Sequence, residues 1–253
     1  MPAEFTRTDD LRGASFRDAE LTGATFRDCL LTGVRIIGCE ISGVRASGYA
    51  SEVTALFVED VDVSGFVTGE LDRRYPERVL VREARTAAEL RAAWDTLERL
   101  WSETVARAER LPEPMRFERV DDEWSFVETL RHLVFATDVW LGRMVLGEAM
   151  PYHRIGLPPT GTPADVAAGI GVDVTARPSY TEVLGVHADR QARVRQVLAG
   201  LGDAELPEMR TAEPAPPWGE ETRSVRNCLG VLLDEVVEHR RFAVRDLAVL
   251  EAR

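Results

Sequence analysis

Lysine is absent from this chain. All 31 cationic residues among its 253 positions are arginine. Without an ε-amine the protein cannot form a Schiff base, so that class of mechanism is excluded. Positive charge is also scarce beside 43 Asp and Glu residues, which leave a net charge of -12 and a pI near 4.9. This balance argues against a general nucleic-acid binder and against a protein that binds anionic membranes.

Cysteines and long apolar runs are scarce as well. Cys29, Cys39 and Cys228 form an odd set without paired metal-ligand spacing, and we interpret them as reduced thiols. No stretch is long and apolar enough to span a bilayer, and residues 1–7 contain no apolar signal-peptide core. We therefore expect a cytoplasmic protein without membrane contact. Its length suits one large domain or two modest ones that need no disulfides.

Residues 9 to about 72 repeat every five positions, a period that fits neither a helix nor a strand. A short fixed period indicates stacked units that lean on their neighbours. The pattern resembles the pentapeptide-repeat family, which implies a right-handed quadrilateral β-solenoid over residues 1–72 with the large side chains inside. The repeat blurs at residues 46–56 and recovers in part at Val61 and Phe66. The large apolar members are Leu11, Phe16, Leu21, Phe26, Leu31, Ile36 and Ile41.

The remainder of the chain has helical periodicity. Residues 73–85 lose the repeat and contain a proline, so we interpret them as a linker. Thr86 can cap the first helix, and Ser125 with Glu128 can form a capping box for the second. Two long connections, at 147–178 and 202–221, are rich in proline and favour an antiparallel-type bundle over residues 86–253. The four helices are expected at about 86–110, 125–147, 178–201 and 222–251.

A candidate metal site lies on two of these helices. Glu235 and His239 are one helical turn apart and share a face, and His132 lies in a strongly apolar helix upstream. Two imidazoles and one carboxylate on facing helices are typical of an open, catalytic metal site. The alternatives are a surface Glu–His pair, worth only ~0.5 kcal/mol, and a hydrogen-bonded core histidine.

A family resemblance supports the metal site. The segments 123–133 and 233–247 resemble the DinB-like superfamily of small metalloproteins, and the resemblance covers about residues 86–253. It implies an up-down-down-up four-helix bundle, often a homodimer, with one divalent metal bound by His132, Glu235 and His239. Many members have histidine at all three positions. This chain has glutamate at the second position, and in this respect it resembles the mycothiol-dependent maleylpyruvate isomerase branch of the superfamily.

Other polar residues near these motifs have two interpretations each. Glu128 lies four residues before His132 and could contact the metal or a ligand, or only cap its helix. Asp246 lies seven residues after His239 and could support the site or join a surface salt bridge. His153, on the long connection, could act as a lid and proton carrier or remain solvated. We interpret His187 as structural and Trp124 as packing.

The resulting expectation is a multidomain protein, β then α, that binds a divalent metal. Two histidines and a carboxylate suit Zn²⁺ first, and also Ni²⁺ or Fe²⁺. The resemblance implies a thiol transferase or thiol-dependent isomerase that uses mycothiol or another small thiol, such as bacillithiol, on a small electrophile. No side chain is assigned a catalytic role.

A vestigial metal site is one alternative, and two further rivals remain open. The first is a metal-dependent hydrolase. The second is a non-enzymatic protein whose solenoid binds a protein partner. Residues 1–73 carry 13 acidic residues and 7 arginines, hence -6, by count along the chain. About three coils would give a rod of only ~15 Å, which is short for a mimic of duplex DNA. The solenoid is therefore expected to cap, dimerise or dock the helical domain.

Overall fold

The computed structural model describes residues 4–6, 10–27, 29–46 and 55–253. These residues divide into two compact units, Met1–Val44 and Arg45–Arg253. Within the described ranges, no helix combines the length and the hydropathy that a bilayer crossing would need.

The first unit changes direction every five residues. Positive φ angles occur at Gly13, Gly23, Gly33 and Gly43, and again midway at Asp18 and Gly38. A tight turn precedes each of Ala14, Ala24 and Val34, whose N–H groups donate to the carbonyl three residues earlier at 2.9–3.1 Å. Residue 28 lies outside the described residues. The five-residue period of the sequence is therefore also the period of the backbone corners.

The expected buried interior of this unit is not formed. The seven large apolar side chains of the repeat are 45% to 63% exposed, and the described residues of this unit contain no strand. A stacked repeat buries side chains only against neighbouring coils, and this tract provides roughly two coils of four sides. Residues 47–54, where the repeat blurs, lie outside the described residues. The recovery expected at Val61 and Phe66 is wrong, because Val61 lies in a strand and Phe66 in a helix.

The interpretation of residues 73–85 as a linker is also wrong, and so is the end of the repeat domain at residue 72. The second unit begins with strands β1 (Phe57–Val58) and β2 (Val61–Asp62), an antiparallel hairpin, and continues with helices α1 (Ser64–Arg74) and α2 (Glu77–Glu83). Pro76 stands at the start of α2, where proline is tolerated.

Two buried charges join α2 to the end of the chain. Glu77 accepts a hydrogen bond from Arg240 at 2.7 Å, and Arg78 forms a close ion pair with Glu238. All four side chains are largely removed from solvent. These pairs make α2 part of the helical unit.

Four long helices form the body of the second unit. The cap predicted at Thr86 and the capping box predicted at Ser125 and Glu128 are confirmed, and Glu89 completes a second capping box at Thr86. The last helix begins at Val225 rather than Thr222, because the preceding residues form a strand. The helices are α3 (Ala87–Glu109), α4 (Phe126–Thr137, continued by a π-helix over Asp138–Val145), α6 (Tyr180–Gly200) and α7 (Val225–Glu251).

Pairs of contacts fix the directions of these helices. Trp101 donates to the carbonyl of Val236 at 3.0 Å and Arg107 pairs with Glu251 at 2.7 Å, so α3 and α7 are parallel. Ion pairing of Arg195 with Glu98 places the end of α6 beside the first half of α3, and the start of α6 lies near Glu109. Helix α4 runs against α7, since His132 lies near His239 and Trp140 near Arg223. The four directions are up, down, down, up.

The two long connections carry short elements. The first contains helix α5 (Ala164–Gly169), and the second contains strands β3 (Met209–Ala212) and β4 (Glu221–Ser224), which pair antiparallel. The first connection approaches the π-helix at Gly142, where an added Cβ would lie 2.6 Å from the Cβ of Pro151. Glycine at this position therefore allows the connection to pack against the helix.

Candidate metal centre

Three potential metal ligands converge between α4 and α7. The Nε2 atom of His132 lies 3.4 Å from the Oε2 atom of Glu235, and the Nε2 atom of His239 lies 3.1 Å from the same oxygen. The three ligand atoms are all within 4.8 Å of one another. Throughout the described ranges, this is the one cluster of three or more such side chains with a metal-compatible spacing. The residues could therefore hold one metal ion.

The ring of His132 is held by the long first connection. Its Nδ1–H donates to the carbonyl of Leu157 at 2.9 Å, which assigns the tautomer from the geometry. The lone pair of Nε2 is then directed toward Glu235 and His239. A histidine that donates its second ring nitrogen to a carbonyl is the usual arrangement of a metal ligand. At 5% exposure, His132 is also shielded from water.

The protonation states suit cation binding. Burial alone would raise the pKa of Glu235, but its interactions with the neighbouring His132 and His239 outweigh this effect and hold that pKa well below its usual range. Burial lowers the pKa of His239, although its hydrogen bond with Glu235 opposes this effect. Metal ligands must be deprotonated, so an ionised carboxylate beside a neutral imidazole favours a bound cation.

An aromatic wall surrounds the three ligands. The ring of Trp124 lies 4.5 Å from that of His132 and 5.7 Å from that of His239, measured between centroids. The rings of Phe135 and Phe242 lie 6.4 and 6.2 Å from His132 and His239 respectively, and Tyr152 lies 6.1 Å beyond Phe135. Beside these four aromatic rings the side chains of His132 and His239 are only 6% and 16% exposed, so water has limited access to both imidazoles. We define the aromatic wall as Trp124, Phe135, Tyr152 and Phe242.

The interpretation of Trp124 as simple packing missed its position. Trp124 directly precedes the cap of α4 and follows a turn at residues 120–123, in which Asp121 and Asp122 both have positive φ. Non-glycine residues with positive φ are uncommon and often lie near functional sites. The sequence placed Trp124 beside its helix, but the contact with His239 depends on α7.

The other candidates lie outside the ligand set. Glu128 caps α4, in agreement with the capping interpretation of this residue. Its carboxylate also accepts hydrogen bonds from Arg119 at 2.6 and 2.9 Å. Asp246 pairs with its neighbour Arg245 at 2.6 Å. The backbone N–H of His153 donates to Asp138 at 2.8 Å, and burial lowers the pKa of its imidazole.

The long first connection does lie beside the candidate ligands, as the lid interpretation required. Leu157 contacts His132, and Tyr152 contacts Phe135. Sequence reasoning missed the connection's anchor at Asp138, whose buried carboxylate also accepts a hydrogen bond from Arg190 at 2.6 Å. An acidic residue inside a strongly apolar helix was the available signal, because such a charge needs a partner.

Comparison with known proteins agrees with the helical architecture. The sequence profile of the DinB superfamily matches residues 96–243, more than half of the chain and all three candidate ligands. The chain belongs to the DinB superfamily. A second profile, for pentapeptide repeats, matches residues 10–45 with eight copies, so this DinB protein carries an N-terminal repeat region. No curated protein and no solved structure gives a significant match to the chain.

Proposed function

We propose that this DinB protein binds one divalent metal ion, Zn²⁺ before Ni²⁺ or Fe²⁺, through His132, Glu235 and His239. The observation that carries the proposal is the convergence of the three ligand atoms within 4.8 Å, with the tautomer of His132 fixed by Leu157. Three protein ligands leave a further position for a small molecule, as in catalytic sites. When bound, the ion supplies Lewis-acid chemistry, which favours the ionised form of a thiol or of water.

We further propose that the small molecule is a low-molecular-weight thiol, mycothiol or a relative of it, whose sulfur forms a bond to a small electrophile. One carboxylate and two neutral imidazoles contribute a single negative charge, so the loaded site keeps a positive charge that attracts a thiolate. Glutamate in place of a second-position histidine, the feature similar to the mycothiol-dependent branch, supports this choice. The S–H bond of the thiol breaks, its sulfur adds to an activated double bond of the electrophile, and the proton goes to the adjacent atom. The product is a thioether, or an isomer of the electrophile when the thiol is eliminated again.

The chain's own residues have definable tasks in this scheme. Leu157 holds the ring of His132, and Glu235 stays ionised between the two imidazoles. The aromatic wall excludes water from the sides of the ligands, which strengthens electrostatic interactions inside. The half-exposed Glu235 marks the side that remains accessible to a small molecule.

The experiment that tests this function compares the wild-type chain with the Glu235→Gln variant. Protein purified without added metal is analysed for metal content, and about one equivalent is expected in the wild type only. Both proteins are then incubated with an activated small electrophile and a panel of thiols that includes mycothiol, bacillithiol and glutathione. Loss of free thiol in the wild type but not in the variant supports a thiol transferase.

Two outcomes would contradict the thiol proposal. Hydrolysis of activated esters or amides at the same rate with and without thiol would indicate the rival metal-dependent hydrolase. Absence of metal from both proteins, even after dialysis against Zn²⁺, would remove the metal-based functions altogether.

A second candidate function concerns the repeat region. We propose that residues 10–45 close into a right-handed quadrilateral β-solenoid when they contact a protein partner. The corners at five-residue intervals support this, and closure would bury the seven large apolar side chains that are exposed in the first unit. Circular dichroism of the 10–45 region should gain β-structure on binding a captured partner. Unchanged spectra would contradict the proposal.

A further inference from the structure

Arg131 precedes the candidate ligand His132 and is itself buried, with 5% exposure. Its guanidinium donates to three backbone carbonyls: Nε to Ile155 at 2.8 Å, and the terminal nitrogens to Ala176 at 3.2 Å and Asp173 at 3.5 Å. No carboxylate lies within ion-pair distance of it in the part of the chain that the structure describes. Burying a charge without an opposite charge is costly. The carbonyls are the acceptors in direct contact with the guanidinium, and their positions are tied to this side chain.

The three carbonyls come from both ends of the same connection. Ile155 lies in its first part, and Asp173 and Ala176 lie beyond α5. The two parts also meet directly, because the N–H of Asp173 donates to the carbonyl of Arg154 at 2.9 Å. The planar fork of an arginine can bind several acceptors in fixed directions, which an ammonium group cannot do. Arg131 therefore clamps the two parts of the connection together.

The clamp acts directly on the residue that holds His132. The N–H of Leu157 donates to the carbonyl of Arg131 at 3.1 Å, and the carbonyl of Leu157 accepts the Nδ1–H of His132 at 2.9 Å. Leu157 follows Ile155 by two residues, so the side chain and the main chain of Arg131 fix the segment from both sides. A shift of this segment would move the carbonyl away from the imidazole.

We propose that Arg131 is a positioning residue of the metal centre, which places the Leu157 carbonyl so that His132 keeps one tautomer and presents Nε2. The inference rests on the proposed function only where it names a metal as the ligand. The second anchor of the connection, Asp138, binds the backbone of His153 and contacts neither Leu157 nor His132 in the interactions described. The task of orienting the ligand thus falls to Arg131.

The experiment uses the full chain with Arg131→Lys and Arg131→Gln. Lysine keeps the charge and glutamine keeps hydrogen bonding, but neither reproduces the fork. Arg116→Gln is the matched control, because Arg116 also donates to three carbonyls, those of Ala108, Glu109 and Leu111, at the end of α3. Circular dichroism selects the variants that stay helical. Zn²⁺ affinity is then measured by competition with a chelator.

The affinity of both Arg131 variants should fall by ~10–100-fold, the range for loss of a partner behind a metal ligand. The control should stay within about twofold, since its site is separate. Unchanged affinity in a folded Arg131 variant would overturn the proposal. An equal loss in the Arg116 variant would overturn it too, because the effect would then be a general loss of stability.

A metal-free measurement separates this proposal from the proposed function. In ¹⁵N-histidine-labelled protein, NMR distinguishes the two neutral tautomers of each of the four histidines, and His132→Gln assigns the signal of His132. The wild type and the Arg116 variant should show the Nδ1–H tautomer at His132. The Arg131 variants should show a mixture. A wild type that binds no Zn²⁺ but shows this difference refutes the metal and keeps the positioning role, whereas one tautomer in all proteins refutes the positioning role.

Discussion

The most decisive perturbation is Glu235→Gln, read through metal-dependent stability. Glutamine has nearly the same size as glutamate but no charge, and the carboxylate of Glu235 is the group that contacts both histidines. A ligand that binds only the folded state at 100 times its Kd stabilises that state by ~2.7 kcal/mol. For a unit of this size each kcal/mol raises Tm by ~2–4 °C, so Zn²⁺ should raise the wild-type Tm by ~5–10 °C.

The expected effect in the variant is much smaller. Loss of a partner behind a ligand costs up to ~100-fold in metal affinity, and loss of the anionic ligand itself should cost at least as much. The free Zn²⁺ concentration that is 100 times the Kd of the wild type then only equals the Kd of the variant. Binding therefore stabilises the variant by ~0.4 kcal/mol and raises its Tm by ~1 °C.

The assay is thermal unfolding followed by circular dichroism at matched free Zn²⁺. Cys29 and Cys39 are exposed thiols that can bind Zn²⁺, so both proteins carry Cys29→Ser and Cys39→Ser. Glu128→Gln serves as the matched control. It loses the charge that pairs with Arg119, although glutamine can still complete the capping box, and should keep the full rise with Zn²⁺. An equal rise in Glu235→Gln, or a lost rise in Glu128→Gln, would refute the assigned ligand set.

Three further predictions concern His187, helix α2 and Trp124. Burial lowers the pKa of His187 to about 4; the unfolded chain therefore binds the proton first, and the unfolding free energy should fall as the pH drops from 6.5 to 4. That loss is ~3 kcal/mol, measurable by urea titration, and His187→Gln should lack it; an identical pH dependence would contradict the burial argument. A chain of residues 45–253 should keep wild-type helicity, whereas residues 86–253 leave Glu238 and Arg240 without α2 and should lose roughly 3–5 kcal/mol; equal denaturation midpoints would contradict this. Co²⁺ should quench tryptophan emission in the wild type and much less in Trp124→Phe at equal metal content, because Trp124 contacts both histidines; equal quenching would contradict that position.

Local patterns carried the correct structural expectations. The capping boxes at Thr86 and Ser125 involve residues three positions apart, so a short segment contains everything that defines them. The helical periods of α3, α4 and α6 likewise arise from spacings of three and four. Local hydrogen bonds and side-chain spacings define such features, and tertiary contacts then stabilise the helices that carry them.

The errors lie where an element depends on a partner outside its own segment. Residues 73–85 contain a proline and several charges, which locally indicate a linker. Helix α2 is stabilised there because Glu77 and Arg78 pair with Arg240 and Glu238, more than 150 positions later. Strand β4 replaces the first turn expected for the last helix because its partner strand β3 lies across a turn. Neither partner can be identified from the local pattern.

The sequence by itself determined that Glu235 and His239 share a face, since the helical period places residues four apart side by side. It also placed His132 inside an apolar helix. Only the tertiary structure decided that these two faces meet, that Leu157 fixes the tautomer of His132, and that Trp124 covers both imidazoles. The partners of His132 alone, Leu157 and Glu235, lie 25 and 103 positions away in the sequence. These contacts exist because the core of the bundle brings α4, α7 and the long connection together.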